Sequence, residues 1–177
     1  MSTTVISDTP VVITNTQVTA VAIAPGYSAL KLFLEDEQHL TTIRRAKMVI
    51  TFKNISDKTN KLIDEIADTS EKAIEELELL ATEIPAFAFE AFSDESIGKT
   101  TLDSIRMTTA KEFLVNDDTF EKDLLVSQLN VLRVISHLAR QIEKKEPSNK
   151  RKIWLNKLAE RYENYYQQAN ARIVIAD

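Results

Sequence analysis

The stretch TFEKDLLVSQLNVLRVISHLARQIEKKE, residues 119–146, decides the fold class. Its apolar residues recur every three or four positions, which is the spacing of one wide helical face. Thr119 can cap the first turn, and Pro147 stops the helix. The pattern predicts one buried helix about 40 Å long, at roughly 1.5 Å per residue.

The opposite edge of this helix carries polar and basic side chains, again at helical spacing. We call this edge the basic stripe, and it consists of Arg133, His137, Arg140 and Lys144. Positive side chains along one helix edge face either water or an acidic surface. The basic stripe is therefore predicted to be a partner-binding surface.

The composition narrows the fold further. Of the 177 residues, 44% are hydrophobic and 28% are charged, which suffices for one domain with a core of its own. Only two glycines and four prolines occur, fewer turn residues than a β-sandwich or a doubly wound α/β domain needs. The predicted fold class is mainly α.

The first 25 residues differ from the rest of the chain. They are rich in Val, Ile and Thr and end at Pro25, a composition that favours extended backbone. Two interpretations stay open. One is a flexible tail, and the other is a strand, or a loose hairpin about Asn15 and Thr16, that pairs with residues 172–175. We predict an extended or flexible N-terminal arm over residues 1–25 and a helical bundle domain over residues 26–177.

Helical patterns continue through the second domain. Residues 27–84 follow apolar steps of three and four, and no Pro or Gly interrupts residues 54–60, so one long helix with a weak point near Asn54 is favoured over two helices. Further helices are predicted from Thr100 and over residues 150–170. The expected architecture is an elongated antiparallel helical bundle of about five helices, some of them long and coiled-coil-like, with an extended N-terminal arm.

Residues 86–92, AFAFEAF, form the most apolar short segment of the chain. One interpretation is a cap over the bundle core. The other is a hydrophobic tip, made of Phe87, Phe89 and Phe92, that docks on a membrane or a partner. The segment is too short to span a bilayer, which takes about 20 residues.

Charge is unevenly placed along the chain, whose net charge is −5. Residues 57–95 hold twelve acids and three lysines, whereas residues 133–172 hold ten bases and four acids. These two regions can complement each other within one bundle, or they can attract a second copy or another protein.

Few residues fit a catalytic or metal site. The chain has no cysteine, and neither His39 nor His137 follows a glutamate by three positions, as a di-metal site in a helical bundle requires. Gly98 begins a Gly-Lys-Thr triplet that lacks the first glycine and the preceding strand of a phosphate-binding loop. We expect no enzyme activity, no cofactor and no metal site.

Basic residues cluster around the turn after the central helix. This anion-binding candidate consists of Lys145, Lys150, Arg151 and Lys152. Such a cluster can contact phosphates or anionic lipid headgroups, or it can complement the negative end of the preceding helix. Nucleic acid is not an expected partner, because the chain is acidic overall and carries no recognisable reading motif.

The favoured hypothesis is a non-catalytic helical interaction or assembly module that self-associates or binds a protein partner. Reversing the charges of Arg133, Arg140 and Lys144 is then expected to weaken association. The alternative is a membrane-active helical protein, peripheral or pore-forming on assembly, that uses the tip within residues 86–92. A cytoplasmic location is expected, with membrane association under the alternative, because no export signal or long apolar run occurs.

Overall fold

The computed structural model describes residues 15–38, 55–90 and 120–175, and within these ranges it contains helices and no strand. The four helices are α1 (Asn15–Gln38), α2 (Asp57–Ala81), α3 (Phe120–Lys145) and α4 (Asn149–Ile175). The mainly α prediction is confirmed. Four helices stand where about five were expected, and the helix predicted from Thr100 lies outside the described residues.

The helix predicted over residues 119–146 agrees closely with the structure. Helix α3 ends at Lys145, two residues before Pro147, and the predicted apolar face is its buried face. Acidic side chains occupy its first turn and two lysines its last turn, in agreement with the helix dipole. Local periodicity and end signals therefore suffice for this element.

The structure of the N-terminal arm differs from the prediction. Helix α1 begins at Asn15 and continues through Pro25, so the prediction of extended backbone is wrong from Asn15 onwards, while residues 1–14 lie outside the described residues. The second half of α1 buries Tyr27 and Leu30 completely in the shared core. That burial outweighs the weak preference of Val- and Thr-rich sequence for extended backbone.

The single long helix over residues 27–84 is also wrong. Helix α2 has its own N-cap at Ser56, whose hydroxyl accepts a hydrogen bond from the Thr59 backbone nitrogen at 3.3 Å. Lys31 of α1 forms an ion pair with Glu78 of α2 at 3.0 Å. In one continuous helix these two residues would lie about 70 Å apart, at roughly 1.5 Å per residue. The chain therefore reverses direction between α1 and α2.

Contacts between the helices give their arrangement. Helices α3 and α4 form an antiparallel hairpin with the most extensive contact, α1 packs on α2 and α3, and α2 contacts α4 more sparsely. Along α2 and α4, Ser70 lies beside Tyr162 and Glu76 beside Trp154, so these helices are antiparallel. The four helices share one hydrophobic core, which includes Leu34, Ile66, Leu77, Leu124, Leu132, Ile135, Leu155 and Tyr162.

Candidate interaction groove

A groove of about 630 Å³ runs between α2 and α4. The sparse contact between these two helices leaves it open along the surface. Residues of both helices line it, and they include Lys72, Ala73, Glu76, Leu79, Ile153, Trp154, Lys157 and Arg161. The groove thus combines an apolar floor with a charged rim.

Polar contacts across the groove fix the register of its two walls. The Ser70 and Tyr162 hydroxyls lie 2.5 Å apart, and the Trp154 indole nitrogen donates a hydrogen bond to Glu76 Oε2 at 2.7 Å. Lys150 forms an ion pair with Glu83 just beyond the end of α2. Since these contacts tie α4 to α2 at several levels, the groove has defined walls.

Large apolar side chains are exposed at one end of this groove. Leu79 is 69% exposed and Ile153 is 59% exposed, and both line it. Ile84, in the turn that follows α2, is 93% exposed. Isolated exposed apolar residues are ordinary, but a group of them around one concave surface is typical of a protein interface.

The groove rim carries more positive than negative charge. Its carboxylates, Glu76 and Glu83, are engaged by Trp154 and Lys150. Lys72 and Lys157 are exposed and form no ion pair with any residue that the structure describes. These side chains are therefore available to an acidic partner.

One residue of the anion-binding candidate is not exposed as the prediction requires. Arg151 is fully buried, and its Nη2 lies 2.9 Å from Glu146 Oε1, a carboxylate that is also fully buried. Lys145 and Lys150 are exposed and Lys152 is half-buried. An external anion cannot reach Arg151, and the predicted site loses that residue.

The buried pair of Arg151 and Glu146 joins the first turn of α4 to the C-terminal ends of α2 and α3 and to the middle of α1. Arg151 Nη1 donates hydrogen bonds to the carbonyl oxygens of Leu80 and Glu83 at 3.3 and 3.1 Å, at the C-terminal end of α2. The other oxygen of its partner Glu146 accepts a hydrogen bond from the Tyr27 hydroxyl of α1 at 2.6 Å. Burial, together with this hydrogen bond, raises the pKa of Tyr27 above its ordinary value. This cluster of Tyr27, Glu146 and Arg151 lies next to the end of the groove that Leu80 and Glu83 line.

The predicted hydrophobic tip lies partly against this cluster. Phe87 stacks on Tyr27 with ring centroids 4.4 Å apart, and Phe89 meets Phe87 edge to face at 5.5 Å. Both rings are half-buried against the core, whereas Phe92 lies outside the described residues. The described rings contribute to packing, and their placement does not favour the membrane hypothesis.

The basic stripe lies on the outer side of α3. Arg133, His137 and Lys144 are exposed, and Arg140 is half-buried. The Arg133 guanidinium lies 4.4 Å from the ring centroid of Tyr166 of α4 and donates a hydrogen bond to its hydroxyl. The stripe stays a predicted partner surface, with Arg133 already engaged within the chain.

A second buried polar group lies inside the bundle, away from the groove. Glu37 of α1 is 2% exposed, and Gln128 of α3 donates a hydrogen bond to its Oε2 at 2.5 Å when its amide nitrogen faces Glu37. Burial, with a contribution from the Asp36 carboxylate, raises the pKa of Glu37 well above its usual range. Because the Glu37 carboxyl is enclosed on all sides, we interpret it as a structural group and not as part of a binding site.

The described residues hold no cluster of His, Cys, Asp or Glu that could bind a metal ion, and His39 lies outside them. None of the described helices is both long and apolar enough to cross a membrane. Comparison with protein-family models, curated proteins and solved structures finds no match.

Sequence reasoning missed the groove, although one signal was present. Leu79 and Ile153 fall outside the apolar faces of their helices, among charged neighbours. An apolar residue on a polar face is a sign of a contact surface, but one residue a helix is a weak signal. That both lie at the same groove end follows only from the register of α2 and α4.

Proposed function

We propose that this protein is a non-catalytic interaction and assembly module, and that it binds a protein partner in the groove between α2 and α4. The observation that carries the proposal is the exposure of Leu79 and Ile153 in one groove. The rim lysines Lys72 and Lys157 add attraction for an acidic partner. The basic stripe on α3 is the second candidate surface for the same function.

Site-specific photo-cross-linking tests this proposal in cells that produce the full chain. A photoreactive phenylalanine analogue replaces Ile153 in one variant and Val134 in the other. Val134 is a suitable match because it is an exposed apolar residue next to Arg133 of the basic stripe. We expect discrete protein adducts from the Ile153 position and none from Val134.

The other outcomes are equally informative. Adducts from Val134 alone would overturn the groove assignment and place the interface on the basic stripe. The absence of adducts from both positions would overturn the interaction function itself. Unfolding monitored by circular dichroism checks that both variants fold as the wild type does, which we expect since both side chains are exposed.

A further inference from the structure

Charges and apolar residues on the two groove walls occupy matched levels. Because Ser70 lies beside Tyr162 and Glu76 beside Trp154 in antiparallel helices, Leu79 of α2 is level with Ile153 of α4. One turn away Glu75 is level with Lys157, and further along Lys72 is level with Glu160. All six residues are exposed, and Leu79, Ile153, Lys72 and Lys157 line the groove. Glu75 and Glu160 belong to the same two helices but lie outside the groove lining.

The two helices are thus complementary at each of these levels, yet the charged residues at these levels do not pair with each other, whereas Glu76 and Trp154 do. Within the described ranges, Glu75, Lys157 and Lys72 form no ion pair, although each faces a level of opposite charge on the other wall. Within one chain, the groove separates the exposed edge of α2 that carries Lys72, Glu75 and Leu79 from the exposed edge of α4 that carries Ile153, Lys157 and Glu160. A second chain is needed to place the exposed edge of α2 against the exposed edge of α4.

We infer that the groove binds a second copy of this chain in a two-fold dimer whose axis runs parallel to the helices. This inference rests on the proposed function and names the partner. Such a rotation preserves the level of each residue and exchanges the walls, so that α2 of one copy covers α4 of the other. Leu79 then packs on the partner copy's Ile153, and Glu75 meets the partner copy's Lys157.

Net charge selects this axis over the alternative. Helix α2 carries eight acids and three lysines, whereas α4 carries five bases and two acids besides the buried Arg151. A two-fold axis perpendicular to the helices would place α2 on α2 and bring like charges together, which is unfavourable. It would also separate Leu79 from Ile153. The parallel axis satisfies both the charges and the apolar residues.

The lack of cysteine makes a clean disulfide-trapping test available. Leu79→Cys and Ile153→Cys are prepared as separate full-length variants and mixed under mild oxidation. We expect a disulfide-linked dimer from the mixture and little from either variant alone, because the contact joins unlike positions. Val134→Cys is the control and should give no product with either variant. Equal product from each single variant alone would overturn the geometry.

A charge exchange provides an independent readout. Glu75→Lys and Lys157→Glu should each weaken dimerisation about tenfold, since symmetry repeats each contact twice. Mixing the two variants restores opposite charges at both contacts, so the mixture should dimerise as tightly as the wild type. A mixture that associates no better than either variant would overturn the inference. Circular dichroism confirms that each variant is folded.

The solution mass separates this inference from the function on which it rests. Light scattering of the wild-type chain should give a dimer of the 20.1 kDa protomer that weakens between about 50 and about 500 mM salt. A monomer at all attainable concentrations would overturn the dimer. Adducts from the Ile153 position to a different protein would still support the interaction module.

Discussion

Replacing Glu146 by glutamine should strongly destabilise the protein. Glu146 and Arg151 are both fully buried, 2.9 Å apart, so the substitution leaves the guanidinium charge without its counter-charge. Removing one partner of a buried ion pair typically costs about 3–5 kcal/mol, against a total domain stability of roughly 5–15 kcal/mol. We therefore expect Glu146→Gln to remove a large share of the free energy of unfolding.

The converse substitution tests the same reasoning from the other side. Arg151→Met leaves the Glu146 carboxylate buried and removes the hydrogen bonds to the carbonyls of Leu80 and Glu83. Within the described structure, Arg151 Nε has no hydrogen-bond partner, so the pair is not fully satisfied even in the wild type. Replacing both members should then cost much less than the sum of the single changes, by about 2 kcal/mol or more.

The assay is urea unfolding of the full chain followed by circular dichroism, with the free energy taken by linear extrapolation. Glu143→Gln and Lys145→Met, on the same helix end, are the controls and should stay within about 0.5 kcal/mol of the wild type. A cost below about 1 kcal/mol for Glu146→Gln, the range of an exposed ion pair, would refute the reasoning. Additive single changes would refute it as well.

Three further predictions concern other parts of the molecule. Because burial raises the pKa of Glu37, the folded chain holds this proton to higher pH than the unfolded chain, and the contribution of Glu37 to stability falls as the pH rises above about 4.3. Glu37→Gln should therefore raise the Tm at neutral pH but not near the unfolded-state pKa, and an exposed control, Glu71→Gln, should show no such gain. Ser56→Ala should cost about 1 kcal/mol in urea unfolding because it removes the N-cap of α2 and the 2.6 Å hydrogen bond to Glu121, and an unchanged midpoint would contradict the cap. Reversing Arg133, Arg140 and Lys144 to glutamate should weaken association in light scattering if the basic stripe takes part, and an unchanged mass would exclude the stripe.

Glu121 illustrates how the cap of one helix depends on another. Its Oε2 accepts a hydrogen bond from the Ser56 backbone nitrogen at 3.0 Å, and its Oε1 accepts one from the Ser56 hydroxyl. Burial alone would raise the pKa of Glu121, but the hydrogen bonds from Ser56 and Thr59 outweigh it and lower the pKa. The sequence places Glu121 in the first turn of α3, yet its role at the start of α2 comes from packing.

The anion-binding candidate shows why exposure could not be read from composition. Lys150, Arg151 and Lys152 are consecutive, and successive residues of a helix point about 100° apart. The three side chains therefore cannot share one exposed face, and the spacing alone does not tell which of them turns towards the other helices. Only the position of α2 and Glu146 decides that Arg151 is the buried one, since these contacts join residues far apart in the chain.

The sequence by itself determined the helical class, the bounds of α3 and the exposed side of its basic stripe, because periodicity and end signals act within a few turns of one helix. The tertiary structure decided where the chain reverses between α1 and α2, which arginine is buried, and that Leu79 and Ile153 share one groove. Each of these depends on the register between helices. Register is set by contacts between residues distant in sequence, and a helical pattern carries no information about which partner it will meet.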